Sequence, residues 1–133
     1  MYREACRALI TDESGRKLLL AKRADDDYAG GSWCALGGKI DRGESPEAAV
    51  ARETYEESGL ILSGVRLFRE HINETGTWHT YFFEATATGD IVVDTTEHSE
   101  LAFFDEEQLE DLDVAFNHLT IFKEYLKSRQ FTG

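Results

Sequence analysis

The residues best suited to chemistry in this sequence are three glutamates, Glu53, Glu56 and Glu57. On a helix, their spacings of three and four residues place the carboxylates on one face, where each like-charged pair costs about 0.2–0.5 kcal/mol. Glu56 and Glu57 also precede Gly59 by less than a turn, at the negative end of the helix dipole. A bound Mg²⁺ ion, which prefers oxygen ligands, would remove both the repulsion between the carboxylates and their unfavourable interaction with the helix dipole. The simpler alternative is that the glutamates form a solvated acidic face.

The helix that must carry these glutamates has clear boundary signals. Ser45 is predicted to be the N-cap, Pro46 to occupy the first helical position and Gly59 to end the helix in the left-handed conformation. This predicts a helix over residues 46–58. Its packing side is predicted to consist of Ala48, Ala51 and Tyr55.

The flanking elements are predicted strands with helices in between, which indicates an α/β layered domain. Residues 4–10 and 17–23 are predicted to form a hairpin, and the polar segment 24–32 a mobile loop near the site. Further predicted elements are strands at 60–71, 77–87 and 101–105, a weak helix at EEQLEDL, and an amphipathic helix at 115–130 that presents Phe116, Leu119, Phe122 and Leu126. The chain shows no repeat or linker, which predicts a single domain over residues 1–133.

Composition limits the classes of partner. The 133 residues carry a net charge of −12, which disfavours duplex nucleic acid and anionic membranes as partners. The sequence contains no long apolar run and no evident signal peptide, and its two cysteines do not make a disulfide framework, so we expect a cytoplasmic protein with reduced thiols. A phosphate-bearing small molecule would need a cation to bridge it to carboxylates. Monomer and homodimer both remain open.

The residues around the glutamates form a motif far more specific than a lone glycine pattern. It reads glycine, five residues, glutamate, seven residues, Arg-Glu, an apolar position, any residue, Glu-Glu, any residue, glycine and an apolar residue. Its fixed positions here are Gly38, Glu44, Arg52, Glu53, Glu56, Glu57, Gly59 and Leu60. The sequence therefore resembles the Nudix hydrolases, whose box this is, and most of all the short MutT-type nucleoside triphosphate pyrophosphohydrolases.

Two positions depart from the family pattern. Thr54 stands where an aliphatic residue is usual, and Leu36 replaces the proline of the common Leu-Pro-Gly-Gly segment. Neither change removes a ligand, so both look like packing adjustments. The resemblance implies a Nudix-like α/β/α sandwich with a mixed β-sheet between helices, and a box at residues 38–60.

The resemblance also implies hydrolysis of a nucleoside diphosphate linked to another group, with Mg²⁺ as cofactor and Mn²⁺ as a substitute. The implied metal ligands are the Gly37 carbonyl and the carboxylates of Glu53, Glu56, Glu57 and Glu100. For the last ligand, Glu100 matches the MutT-type position better than Glu97, and a solvated loop glutamate is the alternative reading.

Catalytic roles are implied for Glu53, Arg52 and Glu44. Glu53 is the first choice for the general base, although the assignment among the carboxylates stays open. Arg52 is expected to orient Glu44 or Glu53, with a surface i,i+4 pair to Glu56 as an equal alternative. Glu44 precedes the helix and either supports the ligands or interacts favourably with the helix dipole.

Substrate contacts are encoded less specifically. Asn117 is expected to read a purine edge, because its amide offers a paired donor and acceptor, and a helix cap is its alternative role. Tyr28 and Trp33 are additional candidates for stacking, with core packing as the alternative. The residues predicted to contact substrate are Lys22, Arg23, Gly38, Lys39, Trp78 and Asn117.

The substrate itself is predicted by a missing proline. ADP-ribose pyrophosphatases of the family typically carry a proline some fifteen residues after the box, and Pro46 is the sole proline here. This favours a nucleoside triphosphate, such as the oxidised purine 8-oxo-dGTP. The alternatives are an ADP-ribose or nucleotide-sugar pyrophosphatase and a non-catalytic nucleotide sensor, although sensors commonly lose box glutamates that this chain keeps.

Overall fold

The computed structural model describes residues 3–24, 30–93 and 98–130. In chain order the elements are β1 (Arg3–Leu9), β2 (Leu18–Arg23), β3 (Trp33–Cys34), β4 (Leu36–Lys39), α1 (Pro46–Ser58), β5 (Ile61–Ile72), β6 (Trp78–Thr88), β7 (His98–Phe104), α2 (Glu106–Leu109), a 3₁₀ turn (Ala115–Asn117) and α3 (Leu119–Gln130). Within the described ranges, seven strands are combined with three helices, α1 between the strands and α2 and α3 after them, which confirms the α/β class.

The chain divides into two compact units, one comprising Met1–Ala8 and Leu36–Val92, the other Leu9–Ala35 and Val93–Gly133. Each unit has its own sheet. The first contains four strands in the order β4-β1-β6-β5, and the second contains three in the order β3-β2-β7. None of the helices in the described ranges combines the length and apolar character that a membrane span requires.

Helix α1 has the predicted limits, and its caps explain them. The Ser45 side chain accepts a hydrogen bond from the backbone N–H of Ala48 at 3.1 Å. At the other end, Gly59 adopts the left-handed conformation (φ 78°) and donates its backbone N–H to the Tyr55 carbonyl at 2.8 Å. Glycine adopts this conformation without a Cβ penalty, so the helix ends where the sequence predicts.

The predicted packing side of α1 is wrong. Ala48 and Tyr55 are exposed and Ala51 is half-buried. The buried side instead comprises Ala49, Val50, Thr54, Glu57 and Ser58. Three of these five residues are polar, so the apolar periodicity of the sequence points to a different side of the helix.

Buried Thr54 is a defect in this packing. Its side chain is inaccessible to solvent, and Oγ1 has no hydrogen-bond partner within the described residues. A buried hydroxyl without a partner is unfavourable, and an apolar group of the same shape avoids that cost. We expect Thr54→Val to raise the free energy of unfolding by about 1 kcal/mol, measured by denaturant titration.

Ser58 is the matched control on the same helix. Its buried hydroxyl donates to the Thr54 carbonyl at 2.7 Å and accepts from the Leu60 N–H at 3.2 Å. Ser58→Ala should therefore lower the free energy of unfolding, by about 1–2 kcal/mol. Equal destabilisation by both substitutions would contradict the interpretation of Thr54.

Strand β4 leaves no room for a side chain where Gly37 faces β1. Arg7 pairs with Gly37 and Cys6 with Gly38 in the antiparallel register. Gly37 has φ 145°, and a Cβ at this position would lie 2.0 Å from the backbone oxygen of Cys6. Glycine is thus required at this position, where the sheet leads into the catalytic motif.

The predicted hairpin is wrong in its strand pairing. A turn does close there, with Leu19 donating its N–H to the Ile10 carbonyl at 2.8 Å and an isolated bridge between Thr11 and Leu18. However, β1 joins the four-stranded sheet and β2 the three-stranded sheet. Both segments are rich in apolar residues without a clear alternation, so the local sequence does not specify which partner each strand takes.

The last helix starts later than predicted. Residues 115–117 form a 3₁₀ turn, and α3 begins at Leu119. Phe116 has φ 62° and ψ 18°, and Asn117 has φ 61°, so both residues interrupt the helix. The prediction failed because helical spacing of apolar residues continued through a turn that the tertiary structure imposes.

Candidate active site

Arg52 is the centre of the acidic cluster in the first unit. Its Nε and Nη2 donate to the two carboxylate oxygens of Glu44 at 2.7 and 3.0 Å, a bidentate pair. Nη1 donates to Glu53 at 3.0 Å and to Glu56 at 3.2 Å, and Nη2 lies 3.3 Å from an Asp41 oxygen. The Arg52 guanidinium therefore pairs with four carboxylates, including Glu44, Glu53 and Glu56, the three partners that the sequence left open.

The contacts between Arg52 and the carboxylates shift the pKa values of the groups involved. The hydrogen bond from Arg52 lowers the pKa of the Glu44 carboxyl, and the hydrogen bond to Glu44 is the main cause of a raised pKa at Arg52. The Arg52 side chain is 30% exposed and those of Glu44 and Glu53 are each 16% exposed. Charge-assisted bidentate pairs of this kind also fix geometry, because the planar fork permits few orientations.

The Glu53 carboxylate occupies the space where a side chain at Gly38 would stand. A Cβ on Gly38 would come within 2.8 Å of the Glu53 carboxyl carbon and Oε2. Arg52 holds the other oxygen, Oε1. The hydrogen bond from Arg52 orients the carboxylate, and the absence of a side chain at Gly38 leaves room for it.

The three glutamates occupy three different environments. Glu57 is 3% exposed, and its Oε1 accepts the Gly37 backbone N–H at 2.9 Å. The Glu56 side chain is 54% exposed and pairs with Arg52 across one helical turn. Hydrogen bonds from a backbone N–H and a guanidinium thus offset part of the repulsion that the sequence predicts among the glutamates.

The donor set of this cluster fits a hard divalent cation. The cluster contains five carboxylates and the single guanidinium of Arg52, so its formal charge is −4. The carboxylates are those of Asp41, Glu44, Glu53, Glu56 and Glu57. In the part of the chain that is described, no three acidic, histidine or cysteine side chains already converge as a metal-binding group. Arg52 and the Gly37 N–H hold the carboxylates instead, so a cation would compete with these two donors.

Cys6 borders the same region on β1, and its thiol donates to the Gly38 carbonyl at 3.4 Å. Burial raises the pKa of this thiol to about 11. Cys34 in the second unit is also fully buried. Since only the thiolate reacts, we expect neither cysteine to react with a thiol reagent at about pH 8 in the native protein, and both to react after unfolding. Rapid labelling of the native protein would contradict this expectation.

The second unit contains the predicted substrate residues Lys22 and Arg23 on β2 and Asn117 in the 3₁₀ turn, and the predicted metal ligand Glu100 on β7. Lys22 on β2 is opposite Glu100 on β7, and Glu100 is exposed. The Arg23 guanidinium carbon lies 5.1 Å from the centroid of the Phe116 ring. Asn117, next in the chain, is exposed.

The remaining predicted contacts divide between surface and core. Trp78 is half-buried, with the guanidinium of Arg3 5.9 Å from its ring centroid, and Lys39 is exposed. Trp33 packs edge-on against Phe104 with a centroid distance of 4.8 Å and is 9% exposed, so it belongs to the core. Tyr28 and Glu97 lie outside the described residues.

Sequence reasoning missed two residues, one in each unit. Asp41 contacts Arg52, and its only signal in the sequence is the turn segment DRGE, in which the Glu44 N–H donates to the Asp41 carbonyl at 3.0 Å. Phe116 was predicted to be a core residue of a helix, but it lies in the turn beneath Arg23. No local signal indicates this second arrangement.

Comparison with known proteins identifies the family. The NUDIX domain model matches residues 1–125. The crystal structure of a MutT NUDIX hydrolase from Burkholderia pseudomallei is similar at 30% identity and a TM-score of 0.73, with 96% of this chain and 97% of that chain covered.

Two relatives differ in their described substrates. An oxidized purine nucleoside triphosphate hydrolase from Danio rerio is 33% identical over 81 residues, which are 58% of this chain and 51% of the relative. An ADP-ribose pyrophosphatase from Methanocaldococcus jannaschii is 32% identical over 120 residues, 86% of this chain and 69% of the relative. The chain thus spans about half of the first relative. Because the family model covers nearly the whole sequence, including the Arg52-centred cluster, the chain belongs to the Nudix family of hydrolases.

Proposed function

We propose that the protein hydrolyses a phosphoanhydride bond in a nucleoside triphosphate, releasing a nucleoside monophosphate and pyrophosphate with the help of Mg²⁺ or Mn²⁺. The observation that carries this proposal is the geometry of Glu53, whose carboxylate Arg52 orients within an acidic cluster beside Gly38. Phosphoryl and nucleotidyl transfer need positioned groups and charge neutralisation more than covalent catalysis.

In this proposal Glu53 is the general base. Its carboxylate takes a proton from a water molecule, the water oxygen forms a bond to phosphorus, and the phosphoanhydride P–O bond breaks toward the leaving pyrophosphate. Arg52 keeps Glu53 Oε1 in place, and Glu44 in turn fixes the Arg52 guanidinium. A divalent cation, when bound by Glu53, Glu56, Glu57 and the Gly37 carbonyl, supplies charge neutralisation and a more acidic water.

A purine triphosphate is the substrate that the second unit supports best. Asn117 is exposed and offers an amide that can pair with a purine edge. Arg23 supplies a guanidinium that can contact a phosphate or the base. The similarity to the Danio rerio hydrolase, whose name specifies oxidised purine nucleoside triphosphates, supports 8-oxo-dGTP in particular.

ADP-ribose is the second candidate, because the Methanocaldococcus jannaschii pyrophosphatase aligns with 86% of this chain. Against it stands the absence of a proline after the box. Both substrates contain a pyrophosphate linkage, so the cluster around Arg52 does not discriminate between them. The discrimination must come from the groups that contact the base or the terminal ribose.

A substrate panel tests the proposal. Purified protein is assayed with Mg²⁺ or Mn²⁺ on dNTPs, 8-oxo-dGTP, nucleotide sugars, dinucleoside polyphosphates and ADP-ribose, and the products are separated by chromatography. We expect 8-oxo-dGTP to give the monophosphate and pyrophosphate with a kcat/KM at least about tenfold above that of ADP-ribose. Chelation should abolish turnover.

A Glu53→Gln preparation is the control for contaminating phosphatases. A kcat/KM for ADP-ribose above that of every triphosphate would overturn the substrate assignment. Tight nucleotide binding without any turnover in the presence of either cation would overturn the enzymatic proposal and favour a nucleotide sensor.

A further inference from the structure

The 3₁₀ turn of the second unit contains an unfavourable backbone conformation. Phe116 (φ 62°, ψ 18°) and Asn117 (φ 61°) are consecutive residues in the left-handed region, and neither is a glycine. Residues with a Cβ rarely adopt this region, and an aromatic side chain is especially unusual there. Such conformations persist only where the surrounding structure imposes them, and they concentrate at functional sites.

The contacts on both sides of the turn show how it is imposed. The Trp33 N–H donates to the Asp113 carbonyl at 2.7 Å, and Val114 forms a parallel bridge with Trp33. On the far side, the Phe122 N–H donates to the His118 carbonyl at 3.1 Å as α3 begins. The chain is thus anchored before and after the turn, and the strained residues span the short distance between these anchors.

The ring of Phe116 contacts one of the proposed substrate-reading groups. The Arg23 guanidinium carbon lies 5.1 Å from the ring centroid, within the range of a cation–π interaction. Arg23 Nη1 also lies 3.9 Å from the Cys34 sulfur. The guanidinium is therefore supported by an aromatic face and by a strand residue rather than extending freely into solvent.

We propose that Phe116 is a positioning residue that holds Arg23 and Asn117 together in the geometry that binds a purine nucleotide. The inference rests on the proposed function, which assigns both side chains to the substrate. The ring holds Arg23 through its face, and the left-handed backbone at Phe116 turns the following residue, Asn117, outward. Phe116 thereby positions both the Arg23 guanidinium and the Asn117 amide that binds the edge of the base.

The test compares Phe116→Leu with Phe116→Tyr. Leucine keeps the apolar bulk but removes the aromatic face, whereas tyrosine keeps the face. We expect Phe116→Leu to raise the KM for 8-oxo-dGTP and the Kd for 8-oxo-dGMP by about five- to tenfold, with kcat within about twofold of wild type. Phe116→Tyr should restore both constants.

Phe68→Leu is the matched control, because Arg69 lies 4.9 Å from the Phe68 ring centroid in the first unit. The same chemical change at the same kind of contact should leave KM and Kd unchanged. Phe116→Gly is the second variant for Phe116, since glycine adopts the left-handed conformation without strain and so preserves the fold. It should weaken binding as Phe116→Leu does.

A double-mutant cycle tests whether Phe116 acts through Arg23. In an Arg23→Gln background, Phe116→Leu should raise KM by less than about twofold, because the cation–π contact between the ring and Arg23 is already lost. Full additivity, or an unchanged KM in Phe116→Leu while the wild type hydrolyses 8-oxo-dGTP, would overturn this inference and leave the proposed function standing. A wild-type protein that neither binds nor hydrolyses purine nucleotides would overturn both.

Discussion

Replacing Glu53 by glutamine is expected to lower kcat by about 10²–10⁴ while the protein stays folded. Glutamine has the same shape and can still accept the hydrogen bond from Arg52. In the wild-type protein, Arg52 Nη1 lies 3.0 Å from Glu53 Oε1. It lacks the negative charge and the basicity needed to take a proton from water. The measurement is pyrophosphate release from 8-oxo-dGTP with Mg²⁺, alongside a thermal unfolding curve.

Glu47→Gln is the matched control, because Glu47 is exposed in the first turn of the same helix. It changes the net charge equally and should leave kcat unaffected. Gly38→Ala is an independent test, since its Cβ would lie 2.8 Å from the Glu53 carboxylate and displace it. Wild-type turnover in Glu53→Gln would remove this residue from the role of base.

The second large effect is expected on stability in the absence of a cation. Arg52→Gln removes the guanidinium that pairs with Asp41, Glu44, Glu53 and Glu56. Charge-assisted hydrogen bonds contribute about 1.5–3 kcal/mol when buried, and partial exposure reduces this contribution here. In EDTA we expect the unfolding midpoint to fall by about 4–8 °C, because roughly 1–2 kcal/mol corresponds to that shift in a chain of this size.

Addition of Mg²⁺ should then stabilise Arg52→Gln more than the wild type, because a cation that binds only the folded state compensates charges that Arg52 no longer pairs. Arg66→Gln is the control. Arg66 forms a single ion pair with Glu84 at 3.3 Å and its side chain is 76% exposed, so its loss should hardly move the midpoint. Equal Mg²⁺-induced shifts in all three proteins would show that Arg52 and the cation do not compete for the same carboxylates.

Together these two experiments separate the roles of the acidic cluster. In the proposed mechanism, Arg52 stabilises the carboxylates when no cation is present, and Glu53 is assigned the proton transfer. The bidentate pair of Arg52 with Glu44 links the two roles, because it fixes the guanidinium that holds Glu53. A loss of activity in Glu44→Gln with an intact cation response would fit this arrangement.

Local signals predicted the catalytic helix well. Ser45, Pro46 and Gly59 set its limits through short-range contacts that depend on neighbouring residues only. The hairpin of β5 and β6 was also predicted, with a tight turn in which the Gly76 N–H donates to the Asn73 carbonyl at 2.9 Å. Turn and cap chemistry is encoded within a few residues, which is why such elements are accessible from sequence.

The sequence did not predict which side chains of that helix are buried. Tyr55 is 59% exposed, whereas Glu57 is almost fully buried. The reason is the close approach of β1 and β4 at Gly37, whose backbone N–H gives the buried carboxylate a partner. A periodicity argument assigns buried positions to apolar residues and has no information about a backbone donor twenty positions away.

The sequence alone determined the family, the α/β class, the limits of α1 and the acidic residues of the box. These features follow from local chemical patterns, namely a spaced motif and helix caps. Only the tertiary structure decided that β1 and β2 belong to different sheets and that Arg52 joins Asp41 to the box glutamates. It alone also placed Phe116 in a left-handed turn beneath Arg23. These features depend on contacts between residues far apart in the chain, whose geometry is set by how the strands pair and not by the residues that precede or follow.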